Sequence, residues 1–187
     1  MTTRSLRAFT CFLLLFLVFG CLSNPKPKEP VVLDVQPIID YYPLGGFTGA
    51  AEEAVYVIPG DAVSVKSTLK EIVVDKQPPR TTFSKDDPLN IVVFRGIFST
   101  GGYDVRISKV LFDGTTFVVY ATFSDPGAGM MVTQAFTQPT AIIPLGKLEK
   151  GSYQVKLLVT KEVVTREGVE KGGEEVREGP SFTVGVS

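Results

Sequence analysis

The sequence predicts an all-β protein: a single small β-sandwich or partly closed barrel of short antiparallel strands, set behind a signal segment and a tether. Three observations lead there. From Val31 onward the apolar stretches are short and rich in Val, Ile, Phe and Tyr. Each is bounded by Gly, Pro or Asp, the punctuation of turns. Helix signals are scarce. A length of 187 residues points to one domain, and a hydrophobic content of 44% suffices for one core.

Residues 1–20 form the first element. Arg4 and Arg7 precede a run from Phe12 to Phe19 without a polar side chain. That is the charged and apolar order of an export signal, too short for the ~20 residues of a spanning helix. Val18-Phe19-Gly20-Cys21 reads as a lipobox, which makes Cys21 the expected lipidated amino terminus. Residues 21–50 follow as a tether with a possible edge strand: PKPKEP at 25–30 is stiff and extended, VVLDVQPII at 31–39 is a first strand, and YYPLGGFTG at 41–49 is a loop. Residues 51–187 make the domain.

Within the domain, EAVYVI at 53–58 is a strand closed by Pro59-Gly60. Asp61–Lys70 is ambiguous, because Asp61 can cap a helix while Val63-Ser64-Val65 alternates as a strand does. KEIVVD at 70–75 reads as a strand before Pro78-Pro79. NIVVFRGIF at 90–98 is apolar on both faces, as a central strand should be. Gly101 and Gly102 turn the chain. In YDVRISKV at 103–110, Tyr103, Val105 and Ile107 share an inward face, which predicts a buried Ile107. Asp113 and Gly114 mark a tight hairpin, since both tolerate the positive φ that primed turns require, and TTFVVYATF at 115–123 returns. Strand character fades over 124–129, then resumes at 130–137 and 140–145 around Pro139. SYQVKLLVT at 152–160 turns Tyr153, Val155, Leu157 and Val159 to one side, and SFTVGV at 181–186 alternates inward. The charged stretch 161–180 reads as a solvated ribbon with Lys171-Gly172-Gly173 at its tip.

Several kinds of chemistry are excluded by composition. The chain contains no histidine, which removes the commonest neutral-pH base, the serine and cysteine triads built on it, and nearly all zinc sites. Its two cysteines are Cys11, inside the signal, and Cys21. No catalytic, cofactor-binding or metal-binding residue is assigned, no cofactor is expected, and the protein is read as no enzyme. Without Arg4 and Arg7 the 19 basic residues become 17 against 20 acidic ones, a balance of −3. Nucleic acid is thereby disfavoured as a partner. Tyr41, Tyr42 and Phe47 form an aromatic loop, the expected anchor of a protein contact.

Phe83 to Leu145 resembles the carboxy-terminal domain of the PrcB family. The resemblance lies in FSKDDPLNIVVFRGIFSTGGYDVRISKV (83–110) and DPGAGMMVTQAFTQPTAIIPL (125–145). It is carried by Gly96, Gly101-Gly102-Tyr103, Ile107, Val110, Pro126, Thr137 and Pro139. The family is named after a lipoprotein subunit of a spirochaete surface protease complex. The resemblance implies a small β-rich accessory protein and transfers no catalytic residue. The expected function is a membrane-tethered, extracytoplasmic protein-binding or accessory module, lipid-anchored on the outer side of the cell membrane, whose partner is a protein such as an extracytoplasmic protease. Two alternatives stay open: a proteinase inhibitor with an immunoglobulin-like domain, and an envelope structural or carbohydrate-binding lipoprotein.

Overall fold

A computed structural model of the protein describes residues 28–40, 51–170 and 176–187. The expected signal, Cys21, the aromatic loop with Tyr41, Tyr42 and Phe47, and Lys171-Gly172-Gly173 all lie outside the described residues. The strands are β1 (Val31–Leu33), β2 (Ile38–Asp40), β3 (Ala54–Pro59), β4 (Thr82–Phe83), β5 (Leu89–Phe94), β6 (Asp104–Phe112), β7 (Thr116–Pro126), β8 (Thr140–Gly146), β9 (Gly151–Thr165), β10 (Gly168–Glu170) and β11 (Arg177–Val186), with one helix, α1 (Ala62–Val73). They build two sheets. The larger runs β1-β6-β7-β9-β11-β4, with β10 also on β9, and the smaller runs β2-β8-β5-β3. This is the sandwich that short alternating strands predict.

Two pairings are parallel, β7 with β9 and β11 with β4. The first has a simple cause. After β7 the chain leaves for β8 in the other sheet and then comes back, so β9 enters beside β7 in the same direction. The inward rows of the two sheets meet in the main core. Val119, Ala121 and Phe123 from β7, and Val155, Leu157 and Val159 from β9, face Ile91 and Val93 of β5 and Ile143 of β8. Tyr153, Val155, Leu157 and Val159 are all buried, as their alternation predicts.

β5 is buried at every position, but for a reason the sequence does not display. Its second face is covered by α1, not by a second sheet. Val65, Leu69 and Val73 of the helix pack on Ile58, Val92, Phe94 and Ile142. The expected strand at 70–75 is therefore corrected to the end of a helix. Four-residue spacing of Val65, Leu69 and Val73 outweighs the β propensity of Ile72-Val73-Val74, because the smaller sheet needs a cover. Asp61 caps the start, accepting the Ser64 amide at 2.8 Å, and these bonds hold its carboxyl below the ordinary carboxylate range.

Three further expectations are corrected. The stretch 31–39 is not one strand: β1 pairs with β6 in one sheet and β2 with β8 in the other. Pro37, which has no N–H to donate, lies where the chain crosses over. No strand forms over 130–137. Its backbone bonds go to other loops, apart from a lone bridge between Thr137 and Phe98. The ribbon after β9 turns at Arg166-Glu167, with Val169 of β10 opposite Val164.

β6 alternates with one interruption. A bulge between Ile107 and Lys109 leaves Ser108 with no residue directly opposite it on β7. Val105 and Val110 are consequently both fully buried although five residues apart, and Ile107 is half-buried against the core rather than enclosed. Odd-to-even switching of the inward phase is what an extra residue produces. In the hairpin that follows, Gly114 takes φ +104° while Asp113 keeps a negative φ, so the two-residue turn with both φ positive does not form. Asp113 instead accepts the amides of Thr115 and Thr116 at 2.9 and 2.7 Å.

Candidate functional site

The inward row of β5 runs Leu89, Ile91, Val93 and, one step past the strand, Arg95. Alternation thus delivers a cation between the sheets, where Arg95 is only 5% exposed. Its charge is matched there. One terminal nitrogen donates to the backbone carbonyls of Asp104, at 3.0 Å, and Ser124, at 2.6 Å. The other donates to the Asp125 carboxylate. The guanidinium carbon lies 5.1 Å from the ring centres of Phe98 and Phe123 and 5.2 Å from that of Tyr103. Phe98 and Tyr103 stack at 3.7 Å. Burial draws the Arg95 pKa below its ordinary value, and Asp125, Tyr103 and Asp104 oppose that shift. A guanidinium tolerates such a place because it is weakly hydrated and its planar face packs on aromatic rings.

Glycines let the surrounding chain close on this centre. Gly96 has φ +118°, and a Cβ there would stand 2.8 Å from the Ala51 carbonyl. At Gly101 a Cβ would meet the Thr133 hydroxyl at 2.3 Å, and at Gly102, with φ +90°, it would meet Val132 at 2.7 Å and Pro126 at 3.0 Å. Gly101 and Gly102 thus stand where the loop 127–139 crosses the chain. That loop is pinned repeatedly. Gly127 donates to Val164 O, Gly101 to Thr133 O, and Arg95 to Pro139 O, at 2.8, 2.8 and 3.1 Å. Phe98 and Thr137 exchange backbone bonds, and the Thr137 hydroxyl reaches Thr100 O at 2.8 Å.

Beside this knot opens a pocket of about 530 Å³. Arg95, Phe98, Tyr103, Phe123, Asp125 and Lys161 line it, together with Ala51, Glu52 and Glu53. The Glu53 carboxylate is held by Arg177. The pocket walls are mixed, with aromatic rings and charged side chains side by side. Met131 and Phe136 stand out from the pinned loop at 90% and 59% exposure, and Val169 and Val176 are exposed on the neighbouring ribbon and at the entry to β11.

A second polar cluster lies on the outer face of the larger sheet. The Ser124 hydroxyl donates to Glu162 at 2.5 Å, and Arg106 donates to the same carboxylate. Glu162 is 8% exposed. The Glu162 carboxylate is engaged by both Arg106 and Ser124, and the Ser124 hydroxyl is itself buried. The cluster cross-links β6, β7 and β9. Among the described residues no group of Cys, Asp or Glu is arranged to hold a metal ion, and no helix is long and apolar enough to cross a membrane.

Sequence reasoning missed Arg95, Asp125, Lys161, Met131 and Phe136 as site residues. One signal was available: Arg95 is the lone charge in NIVVFRGIF and shares the phase of Ile91 and Val93. Nothing local marks Met131 and Phe136 as exposed. By contrast Gly96, Gly101, Gly102, Tyr103, Pro126, Thr137 and Pro139, which carry the family resemblance, all converge on the Arg95 knot.

Comparison with known proteins agrees with that convergence. Residues 89–145 match the family described as PrcB C-terminal. The match spans β5 to β8, two neighbouring strands of the smaller sheet and the hairpin of the larger. It omits α1, β9, β10 and β11. No curated protein and no solved structure matches the chain.

Proposed function

We propose that this chain is a membrane-tethered, extracytoplasmic accessory module that grips a protein partner at the pole built around Arg95. One observation carries the reading. Met131 and Phe136 are large apolar side chains held in water by a loop that backbone bonds fix in place. A pinned loop loses little entropy when a partner covers it, and apolar anchors inside a charged rim are how protein interfaces are built. Glu52, Lys161 and Asp125 bring charge to the pocket at the same pole. The family resemblance directs the search for the partner to an extracytoplasmic protease that the module would stabilise. Lipidation of Cys21 would keep the two together at the envelope.

The test uses a photo-crosslinking residue at Phe136 in intact cells. A discrete protein adduct is expected there and none from the same residue at Thr115, at the far end of β7. Met131→Asp in the Phe136 probe strain should lower the adduct at least tenfold. Equal adducts from both positions would remove this pole from the interface. Cys21→Ser is expected to release the chain from washed membranes, and retention there would overturn the lipid anchor.

A further inference from the structure

We infer that the Arg95 pole is the membrane-distal end of the tethered domain, so that its partner is a protein surface held off the bilayer and not the lipid itself. The inference rests on the proposed anchor at Cys21, and its geometry comes from the described residues. The chain enters the domain at Lys28–Pro30 and goes directly into β1, whose register places Val31 opposite Phe112 and Leu33 opposite Val110. That is the hairpin end of β6. The Lys28 side chain lies against Gly114, in the hairpin loop itself. Entry therefore occurs at one pole.

Everything in the candidate site is at the other. Asp104 begins β6, Arg95 follows β5, Asp125 and Pro126 end β7, and Pro126 is opposite Val164 near the end of β9. From Phe112 to Asp104, β6 is about 27 Å long at ~3.4 Å per residue. The chain between Cys21 and Lys28 spans no more than about 25 Å even at full extension. An anchored domain thus has its hairpin pole held within tether reach of the head groups, and with its strands standing away from the bilayer it carries the Arg95 pole a strand's length further out. Met131 and Phe136 then face the extracytoplasmic space, where the apolar surface they offer has proteins to meet and no acyl chains.

Depth measurement on the lipidated protein tests this. The only cysteines are Cys11, in the signal, and Cys21, so Thr115→Cys and Gln134→Cys can each carry a single donor fluorophore. Both positions are exposed. The protein is reconstituted in phosphatidylethanolamine–phosphatidylglycerol vesicles containing a head-group acceptor, and flotation shows whether it is bound. Energy transfer from Thr115 is expected to be several-fold stronger than from Gln134. Equal transfer from floated protein would overturn the orientation alone. Stronger transfer from Gln134 would mean that lipid covers Met131 and Phe136. Failure to float would instead sink the anchor on which the inference rests, and the orientation with it.

Discussion

Arg95→Met tests whether the buried cation holds the pole together. The substitution keeps the length of the stem and removes three hydrogen bonds, to Asp104 O, Ser124 O and the Asp125 carboxylate. Each carbonyl left short of a donor costs on the order of 1–3 kcal/mol. Asp125 contributes less, because its side chain is 39% exposed and recovers water. Three cation–ring contacts of about 0.5–1 kcal/mol each are lost, and the thioether returns a similar amount through its own ring contacts. Removing a buried charge also relieves its desolvation, which offsets part of that loss. The balance is a loss of about 2–4 kcal/mol, or a fall in Tm of roughly 5–15 °C for a domain of this size. Urea unfolding followed by tyrosine fluorescence reads it, since the chain has no Trp. The midpoint should drop with the slope unchanged. Asp125→Asn leaves the buried Arg95 cation without its counter-charge and should itself cost about 1–3 kcal/mol in the same assay. An Arg95→Met protein within about 0.5 kcal/mol of the parent would refute the argument, leaving the aromatic cluster to hold the pole unaided.

Other consequences are separable. Deleting Ser108 restores one-to-one pairing beyond Ile107 with Val105, Ile107 and Val110 all still turned inward, so a loss below roughly 1.5 kcal/mol is expected; a loss above roughly 3 kcal/mol would show that the bulge itself is required. Val110→Ala should cost about 2–3 kcal/mol and half-buried Ile107→Ala only about 1–2, despite its larger side chain. Calorimetric Tm values in the reverse order would mean that Ile107 is enclosed after all. The amides of Thr115 and Thr116 hold the Asp113 carboxyl below the ordinary carboxylate range. A lowered folded pKa stabilises above the unfolded value, about 3.9, and that contribution fades as pH falls through the folded one. Between roughly pH 4 and pH 2 the Asp113→Asn protein should therefore lose stability less steeply than the parent, and parallel curves would exclude the turn as a source of acid sensitivity.

By itself the sequence determined what depends on near neighbours. Period-two alternation in SYQVKLLVT places Tyr153, Val155, Leu157 and Val159 on one face whatever the strand pairs with, and Asp-Gly marks the reversal between β6 and β7. The sandwich follows from such segments because each offers one apolar face that must be buried. Tertiary structure alone decided what depends on who covers whom. Val65, Leu69 and Val73 became a helix because the outer face of β5, with Val92 and Phe94, required a cover, and local propensity does not contain that requirement. VVLDVQPII divided between two sheets because β6 and β8 each had an open edge within its reach. Ser108 slipped the phase of β6 because β7 had no residue to set against it. The same holds for the site. Arg95 reads as a charge inside a strand until Asp104, Ser124 and Asp125 converge on it from two other segments. Burial of a cation is stable only when its partners arrive from elsewhere in the chain, and their arrival is a property of the fold.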